Sequence, residues 1–323
     1  MNLIQGDLSA RLSGLPSLEV RLPLPDLAPW REGNADIPGV WRLAAPEAGP
    51  SLVISCLVHG NEIAGALLAT RWLREGIRPR RGTLTLVFAN LAAHDRFDPA
   101  DPTASRFLDE DMNRLWAPAA LLGPRRSSEL DRVRALLPVV RQADVLLDLH
   151  SMLWPSDPLF LSGNGLPARA LGRALGTPPL VVGDDGHAAG LRMIDHARFA
   201  EEASSLLLEA GPHWQPETLH QMEVTAARLL RHLGMAEEGA RLAPDEAPPP
   251  GRTARVTRTV TATSGAFAFL RDFRGGEVVP RRNTLIALDG ELEIRTPHDE
   301  CLLVMPSPRA MRGHTAVRLA RFE

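Results

Sequence analysis

Apolar positions along this chain come in short dense runs, separated by stretches in which apolar residues fall three or four apart. The run at 51–58 (SLVISCLV), bounded by Gly49-Pro50 and Gly60, reads as a buried strand. Residues 61–75 place Ile63, Leu67, Leu68 and Leu73 at helical spacing and predict the helix that follows. The alternation continues with a strand at 83–89, a helix at 127–143 despite Pro138, and a strand at 144–150. A helix at 166–175, a short strand at 180–182 and a strand at 204–209 come next. Residues 216–233 give the clearest helix, with Pro216 at its start and Gly234 just past its end. Strands alternating with helices indicate an α/β layer with a largely parallel sheet.

The pattern then changes. The stretch 236–252 (AEEGARLAPDEAPPPGR) is rich in Pro, Gly, Ala and Glu, as a linker is. Beyond it, short β-rich runs alternate with glycine and proline turns, including the hairpin signal Asp289-Gly290. The expected organisation is an α/β catalytic domain at 1–234, a linker at 235–252 and a small all-β domain at 253–323. Two units also suit a length of 323 residues, at roughly 150 per domain. No internal repeat is visible.

Composition narrows the classes. A net charge of −3 with no long run of one sign argues against a nucleic-acid or membrane-surface partner. No apolar run approaches the roughly 20 residues of a membrane helix, and the first residues (MNLIQGD) lack the basic start and apolar core of a secretion signal. Cys56 and Cys301 both sit in apolar runs and read as reduced core residues of a cytoplasmic protein. The sequence holds neither lysine nor tyrosine, so any carboxylate recognised by charge must meet an arginine fork.

The candidate chemistry sits at strand ends. His59-Gly60-Asn61-Glu62 follows the first predicted strand, and His150 closes another in Asp148-Leu149-His150. A histidine and a glutamate three apart at a strand-to-helix bend can face one point above the carboxyl edge of the sheet, where α/β proteins place their ligands. Two histidines and a glutamate are a ligand set of catalytic zinc, which keeps a position open for water and brings that water toward hydroxide at neutral pH. Taken singly, an H-x-x-E arises by chance and either histidine suits a hydrogen-bonded strand end. Asp148, two residues before His150, either orients a ligand imidazole or caps a backbone amide. Glu209, after an apolar run, is either exposed at a strand end or set at the same edge as a general base. In residues 105–116 (SRFLDEDMNRLW), Arg106 and Arg114 with Asn113 form either a carboxylate clamp or a solvated loop.

In order, HGNE (59–62), SRFLDEDMNR (105–114), DLHS (148–151) and LEAG (208–211) resemble the succinylglutamate desuccinylase/aspartoacylase family of zinc-dependent acylases. The resemblance covers nearly the whole chain, including the tail LVMPSP at 303–308. It implies a zinc-carboxypeptidase-like fold: a mixed, largely parallel sheet flanked by helices, plus a C-terminal β domain. It implies one zinc on His59, Glu62 and His150, Glu209 as general acid/base and Arg106 polarising the scissile carbonyl. Asn113 and Arg114 would bind a substrate carboxylate, and the reaction would be hydrolysis of a small N-acyl amino acid.

The departures concern substrate. Aspartoacylases use a C-terminal tyrosine, which this chain lacks, and an arginine ten residues before the catalytic glutamate, where it has Phe199. Arg192 or Arg198 is the candidate replacement, Arg192 preferred. Residues 186–190 (GHAAG) either shape the acyl pocket or form a plain glycine-rich loop. Deacetylation of an N-acetylated diamino acid is a second enzymatic reading. A catalytically silent zinc- or ligand-binding protein is a reading of another class, whose mark would be loss of Glu209. A homo-oligomer is compatible with the sequence.

Overall fold

A computed structural model describes residues 18–163, 165–186, 189–200, 203–245, 247–249 and 251–323. The first residues, read above for a secretion signal, lie outside these, as do His187 and Ala188 of the glycine-rich stretch.

The first half of the chain runs β1 (Val40–Ala44), β2 (Glu47–Cys56), α1 (Ala64–Arg74), β3 (Arg81–Phe88), α2 (Leu91–His94), α3 (Pro118–Leu122), α4 (Ser128–Arg141) and β4 (Val145–Met152). It continues with β5 (Leu159–Ser162), α5 (Leu166–Leu175), β6 (Leu180–Gly183), β7 (Ser204–Pro212) and α6 (Pro216–His232). Strands alone follow: β8 (Arg252–Thr261), β9 (Phe267–Phe269), β10 (Val278–Val279), β11 (Leu285–Asp289), β12 (Leu292–Arg295), β13 (Cys301–Val304) and β14 (Thr315–Phe322).

Helix ends follow local chemistry. Ser127 caps α4 by accepting from Leu130 N, with Glu129 and Asp131 in the first turn. Pro167 opens α5 and Gly176, at φ +62°, closes it in the left-handed region. That helix buries Ala168, Leu171, Gly172 and Leu175, which lie on one face.

Eleven strands form one mixed sheet in the order β1-β3-β2-β4-β7-β5-β6-β8-β14-β13-β10. Parallel pairing covers β3-β2-β4-β7 and, separately, β5-β6-β8, with β5 antiparallel to β7. The sheet therefore runs from β6 into β8 and carries four strands of residues 252–323 with it. The remaining strands, β12-β11-β9, make a small separate antiparallel sheet.

Apolar positions alternate between two cores, as a sheet covered on both faces requires. Leu52, Ile54, Leu147 and Leu149 pack with α1, α5 and α6, whereas Val53, Leu146 and Leu207 pack with α4. A third core lies beneath the small sheet, around Phe267, Ile286 and Leu319. All eight residues of β4 are buried. This central strand and its neighbours β2 and β7 end side by side, which is what assembles the site.

Candidate metal centre

Each of β2, β4 and β7 delivers one part of a buried cluster to the same sheet edge. His59, Glu62 and His150 each offer one ligand atom, and these atoms lie within 4.8 Å of one another. The Glu62 carboxylate sits between the imidazoles: Oε1 is 2.6 Å from His59 Nδ1 and Oε2 is 3.1 Å from His150 Nδ1. The outer nitrogens face two further carboxylates. His150 Nε2 is 2.9 Å from Asp148 Oδ2, and His59 Nε2 is 3.1 Å from Asp111 Oδ1. Each imidazole is thus set to present Nδ1 inward while Nε2–H donates outward, the arrangement that orients and strengthens metal-binding histidines. Two imidazole nitrogens and a carboxylate oxygen, all buried, fit a divalent ion that prefers N and O donors.

Glu209 lies across the ladder from His150, the two being paired between β4 and β7. A bulge in that ladder follows at once, between His150 and Met152, and breaks the regular alternation there. Burial pushes the Glu209 carboxyl up to about 8, against the pull of His150. Its Oε2 has no hydrogen-bond partner among the described residues. Burial works against the charge of Glu62 too, but the two imidazoles hold that carboxyl well below its usual range. Burial likewise opposes the charge on His150, yet Asp148 and Glu62 outweigh it and raise the imidazole well above its usual value. Glu62 and Glu209 thus crowd two imidazoles, and among the described residues Glu209 Oε2 and Asp148 Oδ1 are left without a hydrogen-bond partner.

Residues 48–233, more than half of the chain, match the model of the succinylglutamate desuccinylase/aspartoacylase catalytic domain. The chain belongs to the succinylglutamate desuccinylase/aspartoacylase family. A search of curated proteins returns no match. Among solved structures, succinylglutamate desuccinylase from Vibrio parahaemolyticus is similar at 19% identity and TM-score 0.66, over 88% of this chain and 86% of that one. A succinylglutamate desuccinylase/aspartoacylase from Rhodobacter sphaeroides aligns over 94% of both chains, at 19% identity and TM-score 0.64. An ectoine utilization protein from Ruegeria pomeroyi, in a product-bound structure, matches at 16% identity and TM-score 0.59 over 87% of each chain. At these identities the structures share the fold. Members of this desuccinylase/aspartoacylase family are hydrolases, and no helix among the described residues is long and apolar enough to cross a membrane.

The loop at 105–114 packs against the cluster. Arg106 Nη2 lies 2.8 Å from His59 Nε2 and 3.3 Å from Asp111 Oδ2, and its side chain keeps 38% of its surface exposed. Asn113 is buried, with Nδ2 3.5 Å from His150 Nε2 and Oδ1 accepting from Met193 N at 2.9 Å. Arg114 donates to the Asn113 carbonyl at 2.7 Å and stands 3.9 Å from Asp111 Oδ2. The loop itself hangs on Glu129. That fully buried carboxylate accepts from the backbone N–H of Leu108, Asp109 and Glu110 and from Asn90 Nδ2.

Arg192 departs from the expectation of a substrate clamp. It is buried, and its Nε and Nη2 bind Asp195 while Nη1 and Nη2 bind Asp184 through the carboxylate and the carbonyl. The guanidinium is spent inside the protein, next to the peptide of Met193 that holds Asn113. Arg198, the other candidate, binds Asp144 at the opposite end of β4, and Phe199 is buried in the core. Gly190, at φ +145°, lies so close to Arg114 that a Cβ there would meet the Arg114 carbonyl oxygen at 2.0 Å. Part of the glycine-rich stretch is therefore a docking surface for the loop at 112–116.

The residues missed from sequence are Asp111 and Glu129. Asp111 stands two residues before Asn113 within a run of acidic side chains, and nothing in the run singles it out. Glu129 lies in the first turn of a helix, where acidic residues are ordinary.

Proposed function

We propose that the chain is a zinc-dependent deacylase of small N-acyl amino acids. The observation that carries the reading is the convergence of His59, Glu62 and His150 beside the buried Glu209, whose Oε2 has no hydrogen-bond partner among the described residues. Zinc on those three side chains would supply Lewis acidity, bringing a water toward hydroxide at neutral pH and polarising an amide carbonyl. Glu209 takes the proton of the attacking water and returns it to the leaving nitrogen. Burial raises this carboxyl above the ordinary carboxylate range, which suits a group that must hold a proton before passing it on.

Arg106 is half-exposed, and Asp111 accepts from His59 Nε2–H while the guanidinium can only donate, so the guanidinium is free to turn toward the carbonyl oxygen and stabilise its developing charge. Arg114, with Asn113 beside it, would take the substrate carboxylate. Arg192 is left out of that role because its donors are committed. The fold is shared with proteins described as succinylglutamate desuccinylases and with an ectoine utilization protein. The acyl and amine parts are therefore best read from a panel that varies each separately, with N-succinyl and N-acetyl amino acids and N-acetylated diamino acids. Purified protein should carry one zinc per chain and hydrolyse part of that panel. Metal-free protein of full activity, or zinc-loaded protein inert on every N-acyl amino acid, would overturn the proposal.

A further inference from the structure

The dipeptide His213-Trp214, just past β7, touches both segments that hold the cluster. Trp214 Nε1 donates to the Asn61 carbonyl at 2.8 Å, and Asn61 precedes Glu62. Ser151 Oγ lies 2.7 Å from His213 Nδ1, and Ser151 follows His150. The N–H of Ser151 in turn donates to Glu62 Oε2 at 2.9 Å. A closed path thus runs from Glu62 through Asn61, Trp214, His213 and Ser151 back to Glu62, with His150 beside it.

The dipeptide is itself firmly held. His213 N donates to the Met152 carbonyl at 2.8 Å, and the Trp214 carbonyl accepts from both Arg21 N and Leu22 N at 3.0 Å. Trp214 takes φ +61°, the left-handed region in which a bulky side chain is strained, and is buried there. Such backbone persists only where the surroundings over-determine it. On the other flank, His94 Nδ1 lies 3.1 Å from the Gly60 carbonyl, and the Phe97 ring sits 6.3 Å from both His94 and Trp214. Successive carbonyls of the His59–Glu62 turn are therefore gripped from two sides by one aromatic row.

We propose that His213 and Trp214 act as a clamp that fixes the distance between the turn bearing Glu62 and the strand end bearing His150, and so sets metal affinity. This rests on the zinc reading above. Among the described residues neither side chain hydrogen-bonds a ligand atom; both are positioning residues acting through Asn61 and Ser151. Metal–ligand distances tolerate only about 0.2 Å, so a small drift between the two segments is felt at the ion. Removing groups that hold the ligands directly costs about 10–100-fold in affinity. A clamp one residue further out belongs at the lower end of that range.

The test is zinc affinity of the full chain, by competition with a chromophoric chelator, alongside the thermal midpoint of the metal-free protein. Trp214→Phe keeps the aromatic filling and loses the indole N–H. His213→Leu removes the acceptor for Ser151, whereas His213→Asn keeps an acceptor near the Nδ1 position. Trp214→Phe and His213→Leu should each weaken zinc binding about 10-fold, with little change in the metal-free midpoint. His213→Asn should bind close to wild type. Wild-type affinity in both Trp214→Phe and His213→Leu overturns the clamp alone, as does a His213→Asn variant no better than His213→Leu. A wild-type chain that takes up no zinc overturns the function and the clamp together.

Discussion

This molecule buries charge in two neighbouring places and treats it in opposite ways. Around Glu62, two imidazoles turn their Nδ1 atoms onto one carboxylate, a second carboxyl stands across the ladder from His150, and Glu209 Oε2 has no partner among the described residues. Around Arg192, Asp184 and Asp195 take up its donors, and Arg318 from β14 sets a further positive charge 3.0 Å from Asp184. The first cluster leaves acceptors without donors among the described residues. The second holds its main pair within itself and so reads as a strut. Burial and charge are alike in both; the difference is whether donors and acceptors cancel.

That contrast predicts where a substitution removes chemistry and where it removes stability. The largest effect on turnover belongs to the open cluster. Glu209→Gln should lower kcat by about 10²–10⁴-fold while zinc content stays at the wild-type level. Replacing His150 with Ala should abolish both. An active Glu209→Gln enzyme, measured on any substrate the wild type hydrolyses, would remove the acid/base assignment.

The closed cluster should answer in folding free energy. Breaking one side of a buried pair leaves an uncompensated charge, at a cost of about 3–5 kcal/mol. Arg192→Ala should therefore show a sharply lower urea midpoint, and the folded fraction should still bind zinc. If that variant kept its stability and lost only its discrimination for carboxylate-bearing substrates, Arg192 would return to the pocket and the comparison would fail.

Glu129 sharpens the comparison because its charge is satisfied but serves the site. Its carboxylate gathers the N–H groups of the loop that carries Arg106, Asp111 and Asn113. Glu129→Gln turns an N–H toward those donors and should cost about 1.5–3 kcal/mol. It should also lower kcat/KM through Arg106 with zinc content unchanged. Loss of zinc in this variant would mean that the loop holds the ligands rather than the substrate.

Much of this was legible in the sequence because the site is made of strand ends. His59, Glu62, His150 and Glu209 each follow a run whose periodicity marks a strand, and the ordered motifs tie the runs together. Asp148 shares its strand face with His150, so the period of two offered it as an imidazole partner, with a backbone-amide cap as the alternative, and its Oδ2 lies 2.9 Å from His150 Nε2. What could not be read were partners brought in from distant turns. Asp111 meets His59 across 52 residues of sequence and Arg192 meets Asp184 across a loop; no spacing rule reaches either. The same limit explains only part of why Arg192 read as available: Asp184 lies across a loop, whereas Asp195 stands three residues on. In the fold, β5 (LFLS) lacks the β-branched residues that mark β6 (LVVG), which is equally short, and the sheet's passage from β6 into β8 depends on a pairing between strands separated by more than 60 residues.

The smallest effect lies far from either cluster, in the small sheet. Asp289, at the Asp-Gly turn between β11 and β12, accepts from the N–H and hydroxyl of both Thr263 and Ser264, and the Ser264 hydroxyl leads in holding its carboxyl down at about 2. Because the folded value lies below the ordinary one of about 3.9, the ionised carboxylate stabilises the fold at higher pH. That contribution is lost as pH falls from about 4 through 2. Thermal midpoints of wild type and Asp289→Asn should differ slightly at neutral pH and converge across that window. A difference that stays constant down to pH 2 would show that the turn is held by its backbone alone, and that a self-satisfied carboxylate need not act as a strut.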